Sequence, residues 1–86
     1  MIAPDEIRRQ LQAAFPDAEI DLKDLTGTQD HYECHIASDK FAGLLPMAQH
    51  RLVYQSLGDA MKGPIHALSL KTYTLEAWRA MRSFKS

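Results

Sequence analysis

The sequence predicts an α+β fold in which three strands form one sheet and helices pack on one face of it, in the order α-β-β-α-β-α. Two observations carry this. Apolar residues recur at three- and four-residue steps in three separate stretches, while the stretches between them alternate apolar with polar or are rich in Leu, Thr and Tyr. Breakers at Pro16-Asp17, Gly43 and Gly63-Pro64 then divide the chain into six elements. At 86 residues there is room for one domain, 1–86, burying roughly 60 to 65 % of its unfolded surface.

The first helix is read from Pro4 to Phe15, with Ile7, Leu11, Ala14 and Phe15 as its apolar stripe. Pro4 suits the first helical position, and Asp5 and Glu6 sit where the positive end of the helix dipole favours anions. After Pro16 and Asp17, Ile20 and Leu22 alternate with Asp21 and Lys23 in a half-buried strand over 18–25. The small polar run Thr26-Gly27-Thr28-Gln29-Asp30 forms a hairpin tip, and a second strand follows over 31–38. There Tyr32, Cys34 and Ile36 alternate with His31, Glu33 and His35. Residues 39–45 read as a turn or short irregular link.

Pro46 opens a longer helix, expected to run to about Lys62, with Met47, His50, Val53, Tyr54, Leu57 and Met61 in its stripe. Gly58 inside it weakens it by ~1 kcal/mol relative to Ala. Gly63-Pro64 stops it, and a third strand carries His66 at its start and Leu68 and Leu70 toward the core. Thr74 caps a last helix with Glu76 in its first turn and Leu75, Trp78 and Met81 as packing residues; 83–86 should fray.

Composition narrows the function classes. Hydrophobic residues at 45 % and charged residues at 24 % are ordinary for a globular protein, which argues against disorder. The formal net charge is −1, so no global basic field draws in a polyphosphate. The single cysteine, Cys34, allows no internal disulfide, the N-terminus lacks a signal-peptide pattern, and no apolar run approaches the ~20 residues of a membrane helix. A soluble, cytoplasmic protein is expected. No nucleophile elbow, phosphate loop or paired-carboxylate pattern points to an enzyme.

Two motifs resemble the BolA-like proteins over nearly the whole chain. One is Phe41-x-Gly43 followed by His50-Arg51-Leu52-Val53-Tyr54; the other is Ile65-His66-Ala67-Leu68 with Thr72-x-Thr74 and Glu76-x-Trp78. The resemblance implies a class II KH-like fold. It also implies a non-enzymatic role in iron–sulfur and iron metabolism beside a monothiol glutaredoxin, with which BolA-like proteins share a [2Fe–2S] cluster that also involves glutathione. In the family pattern, the BolA side offers a histidine at the start of the third strand and a histidine or cysteine from the loop between the first two. His66 matches the first position, and His31 matches the second when the loop containing Gly27 is aligned with the family's. Gln49 stands where many members carry arginine and Leu75 where many carry proline. The Gly-x-x-Gly loop by which KH domains clamp a nucleic-acid backbone is missing.

Position alone reads His66 as a strand-start histidine bonded to backbone and His31 as an exposed loop residue; their ligand roles come from the resemblance. Imidazole can replace thiolate on one iron of a [2Fe–2S] cluster and is released by protonation. Cys34 ranks below His31, because it shares a strand face with Tyr32 and Ile36 and reads as a small buried hydrophobe. His35 points to the opposite face, so the two adjacent residues cannot close on one metal. The expected partner site is a groove between His31, His66 and the long helix. An alternative is a DNA-binding regulator in which Arg51 and Lys62, or the basic end with Arg79, Arg82 and Lys85, face phosphates. A third is a homodimeric interaction module.

Overall fold

The computed structural model describes residues 3–25, 27, 31–58, 61 and 67–85, with 67 and 83–85 described by their backbone alone. The order is α1 (Pro4–Ala14), β1 (Glu19–Asp24), β2 (His31–Ala37), a 3-10 turn (Asp39–Phe41), α2 (Pro46–Leu57), β3 (Ala67–Tyr73) and α3 (Leu75–Lys85). This is the α+β order read from the sequence. The sheet runs β1-β2-β3, antiparallel between β1 and β2 and parallel between β2 and β3. Helix α2 is therefore the crossover that a parallel pair requires.

Local chemistry starts and stops the elements. Proline occupies the first turn of both α1 and α2, where its missing N–H has no helical partner to lose. Thr74 Oγ1 accepts from the Ala77 N–H at 3.2 Å and caps α3. The link after β2 is more ordered than a loose turn. Ser38 Oγ accepts from the Lys40 N–H at 3.1 Å and donates to Asp17 Oδ1 at 2.7 Å, while the Asp39 N–H donates to Asp17 Oδ2 at 2.8 Å.

The core lies between one sheet face and α1 and α2. Tyr32, Cys34 and Ile36 of β2 meet Ile7 and Leu11 of α1, Val53 and Leu57 of α2, Leu70 of β3, and the ring pair Phe15–Phe41 with centroids 5.2 Å apart. Ile20 and Leu22 close the β1 side. Strand alternation sets the same parity on all three strands, so a one-residue slip would turn this core outward.

Four details differ from the sequence reading. Helix α2 ends at Leu57, because Gly58 takes a positive φ of 50° as its C-cap and the Gly58 N–H bonds the Tyr54 carbonyl. Its stripe is rotated: Val53 and Leu57 are buried, but Met47 is 77 % exposed and Tyr54 39 %. Met81 is also exposed, at 38 %. Finally, α1 and α2 share one face, while Trp78 of α3 packs on the other, against Ala37, Leu75 and Tyr73. The reason is the short β3–α3 junction at Thr74. It leaves the strand next to Tyr73, whose side chain belongs to the outer face.

Candidate functional site

The sheet's outer face carries the chemistry that the core excludes. Alternation places His31, Glu33 and His35 of β2 there, and cross-strand register sets Lys23, Glu33 and Ser69 in one row and Asp21, His35 and Lys71 in the next. Lys23 and Glu33 thus lie side by side, an opposite-charge pair of the kind favourable on a sheet face. His35 Nδ1 is hydrogen-bonded to the Tyr73 hydroxyl at 3.0 Å, its Nε2 is 3.8 Å from Glu33 Oε2, and its ring stacks on Tyr73. Trp78 completes that cluster, 5.1 Å from Tyr73. Sequence reasoning missed this grouping, because it depends on α3 crossing to the second face.

His31 begins β2 and is half-buried; its carbonyl accepts from the Leu25 N–H at 2.9 Å, the last rung beside the loop. Gly27 sits in that loop with φ at 74°, a conformation natural to glycine, and its N–H donates to Asp24 Oδ1 at 3.0 Å. In the parallel ladder the register partner of His31 is Ala67. His66, the residue bonded to Ala67, lies outside the described residues, as do Lys62, the Gly63-Pro64 breaker and most of the hairpin tip.

Cys34 is fully buried on the core face, and burial pushes its thiol up to about 12. A thiolate there would be desolvated, with nearby Arg8 only partly offsetting the cost, so sulfur is a poor donor from this position. Among the described residues no group of three or more His, Cys, Asp or Glu could hold a metal by itself. The donors on the outer face are the imidazoles of His31 and His35 and the carboxylates of Asp21 and Glu33.

Among the described cations of the nucleic-acid reading, Arg51 stands apart from Arg79 and Arg82, which share one carboxylate. Arg51 is exposed on α2. Arg79 Nε donates to Glu19 Oε2 at 3.2 Å, and Arg82 lies 3.6 Å from the same carboxylate and over the Trp78 ring. Gln49 serves the fold: its Nε2 donates to the carbonyls of Phe41 and Leu44, and its Oε1 accepts from Thr72 Oγ1 at 2.6 Å. One side chain so ties the link, α2 and β3 together.

The family model for BolA-like proteins matches residues 11–77. The chain belongs to the BolA-like family. It is 46 % identical over 55 residues to the DNA-binding transcriptional regulator BolA of Vibrio cholerae, a match covering 64 % of this chain and 52 % of that relative, so about half of the latter's length. A bolA protein homologue from Coxiella burnetii superposes with a TM-score of 0.78 at 30 % identity, covering 92 % of this chain and 99 % of that one. A BolA-like protein from Rickettsia prowazekii gives 0.67 at 35 % identity, over 86 % and 96 % of the two chains. At 92 % coverage, the structural likeness extends beyond the residues of the family match.

Proposed function

We propose that this BolA-like chain is a non-enzymatic adaptor of iron–sulfur or iron metabolism, which binds a monothiol glutaredoxin and shares a [2Fe–2S] cluster with it. His66 and His31 are its ligands in this reading. The observation that carries it is the parallel register of β2 and β3: His31 stands opposite Ala67, and Ala67 is bonded to His66. The burial of Cys34 supports nitrogen over sulfur. Imidazole on iron alters the cluster's charge and potential, and protonation of the ring releases it.

The test is to mix the protein with a cluster-loaded monothiol glutaredoxin and follow visible circular dichroism. The wild type should change the spectrum, His66→Ala should abolish that change, and His31→Ala should weaken or alter it. A full spectral change with His66→Ala would remove the ligand assignment.

The name of the Vibrio relative favours a second reading, a DNA-binding regulator. Here the exposed Arg51 would meet phosphate, while at Arg79 and Arg82 phosphate would compete with the Glu19 carboxylate. Phosphate contacts release counterions, so duplex binding should weaken steeply with salt. Binding absent at ~0.15 M salt, or independent of salt, would dismiss it.

A further inference from the structure

The outer edge of β3 meets α2 in a groove of about 250 Å³, where Pro46, Gln49 and His50 face Leu70 to Tyr73. The Ser38 N–H donates to the Tyr73 carbonyl at 3.0 Å, so Tyr73 turns its backbone polar groups toward the β2 side. In a strand, consecutive residues turn these groups to opposite sides; Lys71 therefore also faces β2, and Leu70 and Thr72 aim their N–H and C=O outward. With the order β1-β2-β3, no further strand pairs with that edge among the described residues.

The geometry points to this edge as a docking site for an extended acidic segment of another protein, added as a fourth strand in the groove beside α2. Main-chain bonds to Leu70 and Thr72 would give the pairing, and alternating side chains the specificity. Charge selects the occupant. Residues 46–57 contain Arg51 and no carboxylate, and residues 67–73 contain Lys71 and no carboxylate, in a chain whose net charge is −1. Apolar surface lies at the same helix: Leu45 and Met47 are each 77 % exposed and Leu44 is 38 % exposed. A segment alternating acidic and apolar residues would turn carboxylates to Lys71 on the outer face and apolar side chains toward α2.

A second copy of this chain fits less well. Its β1 edge is acidic, but Arg8 Nη1 already donates to the Ile20 carbonyl at 3.3 Å and Gln12 Nε2 to the Ala18 carbonyl at 3.2 Å. Those side chains blunt the edge. Pairing two β3 strands about a two-fold axis centred on Lys71 would set lysine against lysine, which is destabilising. The site lies at the Leu70–Tyr73 end of β3, away from the His31–Ala67 end, so it does not depend on the glutaredoxin reading.

The probe is a blocked synthetic heptapeptide of alternating glutamate and valine, titrated into the 15N-labelled protein. The Leu70 and Thr72 amides should shift and their hydrogen exchange slow at least ~tenfold, the effect of ~1.4 kcal/mol of added protection. Replacing the peptide's glutamates with lysines, or N-methylating every second amide, should abolish this. Lys71→Glu, an exposed change, should weaken binding ~tenfold and favour the lysine peptide. Thr72→Pro removes the outward N–H together with the hydroxyl bond to Gln49 and should remove binding, with the thermal melt checking that the fold survives. Unchanged Leu70 and Thr72 amides at millimolar peptide would overturn the proposal. So would equal binding of the lysine peptide, the same protection from oligothymidylate alone, or protection that rises with protein concentration without peptide.

Discussion

At the scale of single residues, Cys34 and Asp17 are tuned in opposite ways by their surroundings. Burial raises the Cys34 thiol from its ordinary 9.0 to about 12, with nearby Arg8 opposing and Asp21 reinforcing the shift. Its folded value is the higher one, so its contribution to stability is complete below pH 9 and is lost as pH rises toward 12. Native Cys34 should resist Ellman's reagent at pH 8 and react at once in guanidinium; rapid reaction of the native protein would contradict the buried placement. Asp17 behaves inversely. The Ser38 hydroxyl and then the Asp39 N–H hold its carboxyl below the ordinary 3.8. Its contribution is present above that value and is lost as pH falls through the lowered folded one. Hydrogen bonds to a charged group contribute ~1.5–3 kcal/mol, and solvent around exposed Asp17 reduces this to about 1 kcal/mol. Asp17→Asn should cost that much in urea unfolding at pH 6 and markedly less near pH 3; an equal cost at both would show that the charge is irrelevant.

At the scale of elements, α3 is held to the outer face by Leu75, Trp78 and the Glu19 ion pairs. Trp78→Ala removes most of that contact and should cost ~3–4 kcal/mol, with helical signal lost from α3 before the sheet melts. Trp78 Nε1 is buried and has no hydrogen-bond partner among the described residues. Trp78→Phe therefore sacrifices no bond and should stay within about 1 kcal/mol of wild type. If the phenylalanine variant were as unstable as the alanine one, an indole bond would have to exist. The helix starts were legible in the sequence because Pro4, Pro46 and Thr74 act through covalent geometry and local bonds. The end of α2 was not. Met61 continues the apolar period past Gly58, and only the backbone shows that Gly58 adopts a positive φ. Nor could periodicity show which face Trp78 would cover, since that follows from the chain's direction after Tyr73.

At the scale of the whole molecule, β2 organises everything. One of its faces fills the core with Tyr32, Cys34 and Ile36, and the other presents His31, Glu33 and His35. Alternation made that division readable from the sequence. The parallel pairing with β3, which sets His31 opposite Ala67, was not readable, because register is fixed by α2 and the core. This pairing also sets the two proposed sites apart along β3. Leu70 stands three and Thr72 five steps of ~3.3 Å from Ala67, or about 10 and 16 Å. A partner whose contact stays within about 10 Å of the His31 end leaves the Leu70 and Thr72 edge uncovered. Calorimetric titration of the acidic peptide should then give a Kd within about twofold with and without saturating glutaredoxin, the condition for uncoupled sites. A loss of more than ~tenfold would mean that the two partners occupy overlapping surface, or that β3 couples its ends by more than ~1.4 kcal/mol. His66→Ala in the same titration separates those outcomes. If the glutaredoxin complex persists and competition disappears with this variant, the coupling passes through the strand; if competition remains, the surfaces overlap.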